Sequence, residues 1–184
     1  MRGLTLVELL VTTTVFGIII SVVAPSLINI SDNHNSNSSV SHMRKVLTSA
    51  RNIALNNNQK VTVCPNTNGI CNNNWQNTLS VFIDSNNNQK VDDEETLYLT
   101  ASNENTNGTW LIRNAATNSI QFNEQGHAFG SATTFLYCPS SMQNRYARQL
   151  VISFQGRIRS DHYLSSRGTP YASLGNFNCP TDNN

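Results

Sequence analysis

The chain has 184 residues, of which 12% are charged, and its formal net charge is +1. Behind an apolar N-terminal segment about 150 residues remain, a size typical of one globular domain. No repeat at solenoid periods and no internal boundary are found, which excludes a repeat array and several domains. Asparagine triplets at 56–58, 72–74 and 86–88 indicate turns, because the asparagine side chain bonds nearby backbone.

The first thirty residues are an apolar segment behind a short head. Met1-Arg2-Gly3 precedes an almost unbroken apolar run at 4–30, which contains one carboxylate, Glu8. These 27 residues, at ~1.5 Å each, span about 40 Å as a helix and can cross a bilayer. An ionisable group is unfavourable there, so Glu8 requires a functional explanation.

Three interpretations fit this segment. A cleavable secretory signal has a positive head and a short apolar core, whereas here Arg2 is the only positive charge and the run is long. A plain membrane anchor leaves Glu8 without a role. The third is a type IV prepilin signal, because Gly3-Leu4-Thr5-Leu6-Val7-Glu8-Leu9-Leu10 resembles the prepilin cleavage motif, with Leu4 in place of the usual Phe.

The prepilin resemblance implies a processing site and an assembly role. In that family a membrane peptidase cuts after the glycine and methylates the new amino terminus, here between Gly3 and Leu4. Pro25 would hold the position of a proline typical of the family. A lone carboxylate is strongly disfavoured in an apolar helix bundle. The resemblance implies that Glu8 pairs with the terminal amine of a neighbouring subunit and sets the axial register.

Residues 31–58 predict the second half of a long helix. After a polar stretch at 31–39, apolar residues recur at spacings of three and four, as in an amphipathic helix. They are Val40, Met43, Val46, Leu47, Ala50, Ile53, Ala54 and Leu55. We expect this face to pack on a sheet, and the sequence leaves open whether the helix is continuous through 31–39.

Residues 59–184 predict an antiparallel β head with a C-terminal tail. Short β-favouring runs alternate with turn clusters, as is typical of antiparallel sheets. The predicted strands are 60–64, 79–83, 96–100, 109–113, 119–123, 133–138 and 149–154. The predicted fold class is therefore α+β, with a long N-terminal helix packed on an antiparallel sheet or β-sandwich.

Four cysteines, Cys64, Cys71, Cys138 and Cys179, indicate disulfides in a secreted context, and four cysteines allow three connectivities. A bond between Cys64 and Cys71 would close a short loop. A bond between Cys138 and Cys179 would hold the tail on a strand. Zinc is the alternative, but neither spacing is a C-x-x-C knuckle and no histidine sits in register.

The segment 84–95 partly matches an EF-type calcium loop. Oxygen-bearing residues occupy places one, three, five, nine and twelve. They are Asp84, Asn86, Asn88, Asp92 and Glu95. Gln89 stands where such a loop requires glycine, and its flanks predict strands where an EF-hand has helices. The alternative is a hairpin rich in asparagine and aspartate.

Motifs for catalysis or cofactor binding are missing from the sequence. Its histidines, His34, His42, His127 and His162, lie far apart and outside any nucleophile or metal motif, and there is no phosphate-binding glycine loop. The sequence predicts a protein that is not an enzyme and uses no cofactor.

Charge is unevenly divided along the head. Residues 61–140 carry two basic and seven acidic side chains, a net charge of −5, and residues 141–184 carry five basic and two acidic ones, a net charge of +3. The basic end therefore predicts an anionic partner.

The segment Gly156-Arg157-Ile158-Arg159 is suited to binding phosphates. In an extended chain Arg157 and Arg159 point to one face and Ile158 to the other. Gly156 permits a tight turn before them. Two neighbouring guanidiniums can fork onto successive phosphates.

Three further arginines, Arg145, Arg148 and Arg167, extend this patch if the loops bring them near. Binding would be electrostatic and independent of sequence, since no aromatic surface is evident near the motif. The alternative is a strand whose arginines pair with acidic residues of the same domain, such as those at 92–95.

The head resembles the FimT/GspH minor-pilin family. The matching segments are 50–54, 61–64, Cys71, Trp75, 81–84, Phe122, Gly126, 135–138, 150–153 and 156–159. Members are minor pseudopilins of type II secretion or minor pilins of type IV pili. The FimT branch is associated with DNA uptake in natural transformation, through a G-R-x-R motif near the C-terminus. Here that motif is Gly156-Arg157-Ile158-Arg159.

Motif and resemblance together predict a minor type IV pilin that binds DNA and contributes to its uptake. The predicted divisions are a leader at 1–3, a transmembrane and assembly helix at 4–30, its amphipathic half at 31–58 and the head at 59–184. The expected partners are DNA, other pilin subunits, prepilin peptidase and the bacterial inner membrane. The head would be periplasmic before assembly into an extracellular pilus. The alternative is a structural pseudopilin of type II secretion that does not bind DNA.

Overall fold

One helix forms the whole N-terminal part of the protein. The computed structural model describes residues 5–103, 107–113, 118–129, 132–162 and 179–180, without the side chains of 22–29. Helix α1 (Leu6–Asn57) begins where the Thr5 hydroxyl accepts a hydrogen bond from the Glu8 N–H at 3.3 Å. It ends at Asn58, whose φ of 51° is left-handed, as asparagine tolerates. The helix is continuous through 31–39.

The C-terminal half of α1 packs on the head through the predicted apolar face. Six of its eight predicted residues are buried: Val40, Met43, Val46, Leu47, Ala50 and Ala54. Ile53 is half-buried against the core. The prediction was wrong for Leu55, which is 45% exposed, because each helical residue turns about 100° from the last and Leu55 leaves the buried face after Ala54.

The N-terminal half of α1 projects from the head. Its large apolar side chains are exposed, among them Leu6 at 79%, Phe16 at 66% and Ile18 at 67%. No described stretch of helix is both long and apolar enough to cross a membrane. The predicted span at 4–30 includes Leu4 and the side chains of 22–29, which lie outside the described residues.

Two antiparallel sheets form the head. Their strands are β1 (Val61–Thr67), β2 (Ile70–Cys71), β3 (Leu79–Ile83), β4 (Leu97–Ala101), β5 (Gly108–Arg113), β6 (Ile120–Phe122), β7 (Ala128–Phe129), β8 (Thr133–Pro139), β9 (Arg148–Ile152) and β10 (Ile158–His162). The six-stranded sheet has the order β4-β3-β1-β6-β7, with β2 paired to β1 off this path, and the four-stranded sheet has the order β10-β9-β8-β5. All seven predicted strands are confirmed, and the predicted α+β class with them.

A single core joins the helix to both sheets. Its aromatic centre is Phe135 of β8, whose ring meets Trp75 edge-on at 4.9 Å between centroids and Trp110 at 6.2 Å. Edge-on aromatic pairs add to the free energy gained by burial. Because α1 lies against β8, β9 and β10, it supports the sheet edge that carries the arginine motif.

Candidate nucleic-acid interface

The turn between β9 and β10 is set by Gly156. Its φ is +72°, a region that glycine adopts without strain. The Gly156 N–H donates to the Ser153 carbonyl at 2.8 Å, and the Ser153 N–H donates to the Arg157 carbonyl at 3.0 Å. The Ser153 hydroxyl also accepts from the Arg157 N–H at 3.1 Å. These bonds make the tight turn that the sequence predicts before Arg157.

This turn packs against the turn at Gly126, and both turns are bonded to the helix. A Cβ on Gly156 would lie 1.9 Å from the Gly126 carbonyl oxygen, so the two backbones touch. Arg51 of α1 donates through Nε to that oxygen at 2.9 Å and through Nη2 to the Gln155 carbonyl at 3.5 Å. One guanidinium therefore joins both turns to the helix, a role that no local sequence pattern predicts.

Arg157 and Arg159 are exposed, whereas Ile158 between them is half-buried against the core. Alternating residues of an extended chain stand about 7 Å apart on one face. Strand β10 is an edge of its sheet, and Arg159 pairs with Val151 of β9. Asp161 is also exposed and lies on the same face as the two arginines. The predicted alternation is thus the observed one.

The predicted alternative, pairing with the acidic residues at 92–95, is not seen. The one ion pair within the described residues joins Lys90 to Asp92 at 3.5 Å. Glu95 instead accepts the backbone N–H groups of Ser85 at 2.9 Å and Asp92 at 3.4 Å. Within the part of the chain that the structure describes, neither Arg157 nor Arg159 has a carboxylate partner.

Arg148 does not extend the patch, contrary to the expectation from sequence. It is 5% exposed, and its guanidinium donates to the side chains of Asn33 and Asn37 on α1 and to the Ala147 carbonyl. Burial lowers the pKa of Arg148. Arg148 faces inward because it lies on the same face of β9 as Leu150 and Ile152, which pack under the helix. It therefore links the helix to the sheet.

Arg145 lies at the other end of the hairpin. It sits in a short 3-10 helix, Asn144–Tyr146, before β9, with its guanidinium 4.5 Å from the centroid of the Tyr146 ring. The length of β9 separates it from the glycine turn, about 15 Å for five residues. Arg167 lies outside the described residues.

A helix arginine that the sequence left unassigned borders β10. Arg44 donates through Nη1 to the Ser160 hydroxyl at 3.4 Å. It precedes Arg51 by seven residues, which places both on one side of α1. Periodicity indicates that shared side, but only the tertiary structure shows that β10 lies along it.

Both disulfides pair neighbours in the fold. Cys64 is bonded to Cys71 with 5.5 Å between Cα atoms, across the hairpin of β1 and β2. Cys138 of β8 is bonded to Cys179, with 5.6 Å between their Cα atoms. The second bond holds Cys179 on the outer face of the four-stranded sheet, beside Leu136 and Ala147.

The loop at 84–95 has the bonding of the predicted hairpin alternative. The buried Asp84 carboxylate accepts four hydrogen bonds, from Thr62, Asn88, Gln89 and Gln121. The side-chain amide of Asn86, then that of Asn88, lowers the pKa of Asp92. These N–H and O–H donors give the loop the bonding of an asparagine-rich turn. In the described part of the chain no group of three acidic, histidine or cysteine side chains is placed to hold a metal.

Glu8, which the sequence predicts to act in assembly, lies at the end of α1 that is far from the head. Glu8 is exposed in its first turn, where a carboxylate is favoured by the helix dipole. Gly3 and Leu4, the predicted cleavage pair, lie outside the described residues.

Comparison with known proteins connects this fold to one family. A family model described as type II transport protein GspH matches residues 40–156, more than half of the chain. The fold is similar to crystal structures of the type IV minor pilin FimU of Pseudomonas aeruginosa (strain PAO1). One has 16% identity and a TM-score of 0.55, covering 72% of this chain and 92% of FimU. A second crystal form has 17% identity and a TM-score of 0.50, covering 68% and 91%. Curated proteins yielded no match. With the fold of a type IV minor pilin and this match along most of its head, the chain belongs to the GspH family.

Proposed function

We propose that the protein is a minor type IV pilin that binds DNA through Arg157 and Arg159 and contributes to DNA uptake in natural transformation. The observation that carries the proposal is the exposure of Arg157, at the end of the glycine turn, and of Arg159, on the edge strand β10, without a described carboxylate partner. Such a pair suits binding to successive phosphates, which is independent of base sequence.

The position of the motif on the head supports this proposal. The motif turn is bonded to Arg51, near the end of α1, whereas the exposed helix ends near residue 30. Twenty-one residues of helix separate these points by roughly 30 Å. The arginines therefore lie away from the projecting half and stay accessible when that half is covered.

The projecting half supports membrane anchoring and assembly. It exposes a row of large apolar side chains, and such a surface requires a covering partner. The hydroxyls of Thr12, Thr13 and Thr14 donate to backbone carbonyls one turn earlier, so they are satisfied without water. We propose that this half lies in the inner membrane before assembly and among other pilin helices afterwards. Prepilin peptidase would cut between Gly3 and Leu4, and Glu8 would pair with a neighbour's amino terminus.

The alternative function is that of a structural pseudopilin of type II secretion. The description of the matching family, a type II transport protein, favours it. It assigns no role to the exposed arginines, and it predicts no DNA binding.

The test is DNA binding by the full-length chain in non-ionic detergent, followed by fluorescence anisotropy of a labelled duplex. We expect a dissociation constant of about micromolar or weaker at low salt, and each phosphate contact contributes ~0.9 to the salt slope. Arg157→Ala with Arg159→Ala should weaken binding and lower the slope by about two. Asp161→Asn should strengthen it by removing a negative charge.

Arg145→Ala is the control, since it removes one positive charge at the other end of the hairpin and should change binding little. Unchanged binding by the double variant would reject the site. If wild-type protein fails to bind at low salt, the result rejects DNA binding and favours the structural pseudopilin.

A further inference from the structure

Two phenylalanine rings are exposed at the tip that carries the arginines. Phe154 is 62% exposed in the turn between β9 and β10, and Phe129 is 64% exposed at the end of β7. The Ala128 N–H donates to the Phe154 carbonyl at 3.1 Å. Hydrogen-bonded neighbouring chains lie about 4.8 Å apart. The backbone segments that carry the two rings are therefore adjacent, although they come from different sheets.

The backbone under these rings is firmly held. Phe154 lies in the turn closed by Ser153 and Gly156, and that turn touches the Gly126 turn that leads into β7. Arg51 bonds both turns. A ligand that binds here finds the surface already ordered, which reduces the entropy lost on binding.

Cationic groups border the rings. The Lys60 ammonium lies 5.4 Å from the centroid of the Phe129 ring, and the exposed Arg157 follows Phe154 by three residues in the same turn. Glu124, in the turn before Gly126, is the carboxylate on these segments, and it is half-buried. The surface is therefore aromatic with a positive border, which suits a ligand that carries both flat rings and negative charge.

We propose that Phe154 and Phe129 form a stacking platform for unpaired bases, so that the head binds single-stranded DNA more tightly than duplex. Proteins that bind single strands without sequence preference combine cations for the phosphates with aromatic faces for the bases. In a duplex the bases are already stacked and paired, and they cannot lie on these rings. The inference rests on the proposed function for its phosphate contacts, and it replaces the expectation that no aromatic surface borders the motif.

A fluorescent reporter tests the contact directly. Trp75 and Trp110 are 2% and 5% exposed, so Phe154→Trp in the full-length chain adds the solvent-facing indole. We expect an oligothymidine of about 20 nucleotides to quench this indole as it stacks. A duplex of equal length, bound through its phosphates, should leave the emission nearly unchanged.

Conservative variants separate stacking from burial of apolar surface. Phe154→Leu and Phe129→Leu keep an apolar side chain and remove the aromatic face. Each should weaken single-strand binding by about five-fold or more, with duplex binding and the melting temperature unchanged. Ile70→Ala is the control, since Ile70 is 55% exposed on the separate β1–β2 hairpin and should have no effect.

Three results would overturn the platform. They are equal affinity for both DNA forms, equal losses on both in the leucine variants, and a change in self-association measured by sedimentation, which would make the rings a subunit contact. If only the platform is wrong, duplex binding is still weakened by Arg157→Ala with Arg159→Ala. If the proposed function is wrong, the wild-type chain binds neither single-stranded nor duplex DNA.

Discussion

At the scale of single residues, the site depends most on Gly156. Its backbone is left-handed, and a Cβ there would overlap the Gly126 carbonyl oxygen at 1.9 Å. We expect Gly156→Ala to lower the free energy of unfolding by roughly 3 kcal/mol or more, because backbone strain and overlap add. Urea denaturation of the purified chain, followed by fluorescence of its buried tryptophans, measures the loss.

Gly69→Ala is the control for this prediction. Gly69 is also left-handed, with φ +83°, but the nearest atom to its Cβ would be 3.7 Å away. Strain alone should then lower the free energy of unfolding by about 1 kcal/mol. Equal losses for the two variants would contradict the close packing of the two glycine turns.

At the scale of elements, the Asp92 carboxylate accepts hydrogen bonds from two asparagine side chains within the loop between β3 and β4. The Asn86 amide, followed by that of Asn88, lowers the pKa of this carboxyl below 3.8. The linked stability is present above the unfolded value and is lost as pH falls through the lowered folded value. We expect Asn86→Ala to raise the pKa of Asp92 toward 3.8, measured by NMR titration of its carboxyl carbon. Asn74→Ala, in a separate turn, should leave it unchanged, and an identical titration in both variants would contradict the bonding of this loop.

At the scale of the whole molecule, the two disulfides should contribute unequally. Cys138 and Cys179 are separated by 41 residues, and Cys64 and Cys71 by 7. By loop-closure entropy the longer loop contributes roughly 4 kcal/mol and the shorter about 2.5 kcal/mol. All four cysteines are buried, so paired replacements by alanine are comparable. We expect replacement of Cys138 and Cys179 to lower the unfolding midpoint more than replacement of Cys64 and Cys71. The reverse order would show that the longer loop contributes little.

Local patterns were sufficient for most of the fold. The spacing from Val40 to Ala54 predicts the buried face of α1, because helical periodicity is a property of neighbouring residues. The same holds for the seven predicted strands. Strands β2 and β7 have two residues each, too few for a pattern, and β10 carries polar residues on an exposed edge. These three form because a partner strand is placed beside them, which no local pattern predicts.

By itself, the sequence determined that Gly156 precedes two arginines on one face, because strand alternation and glycine backbone freedom are local. Only the tertiary structure decided which other side chains share that surface. It buries Arg148 under α1, and it brings Arg51 and Phe129 to the motif turn. The physical reason is that contacts between distant segments depend on strand order and on the packing of the helix. Neither can be inferred from the residues that flank the motif.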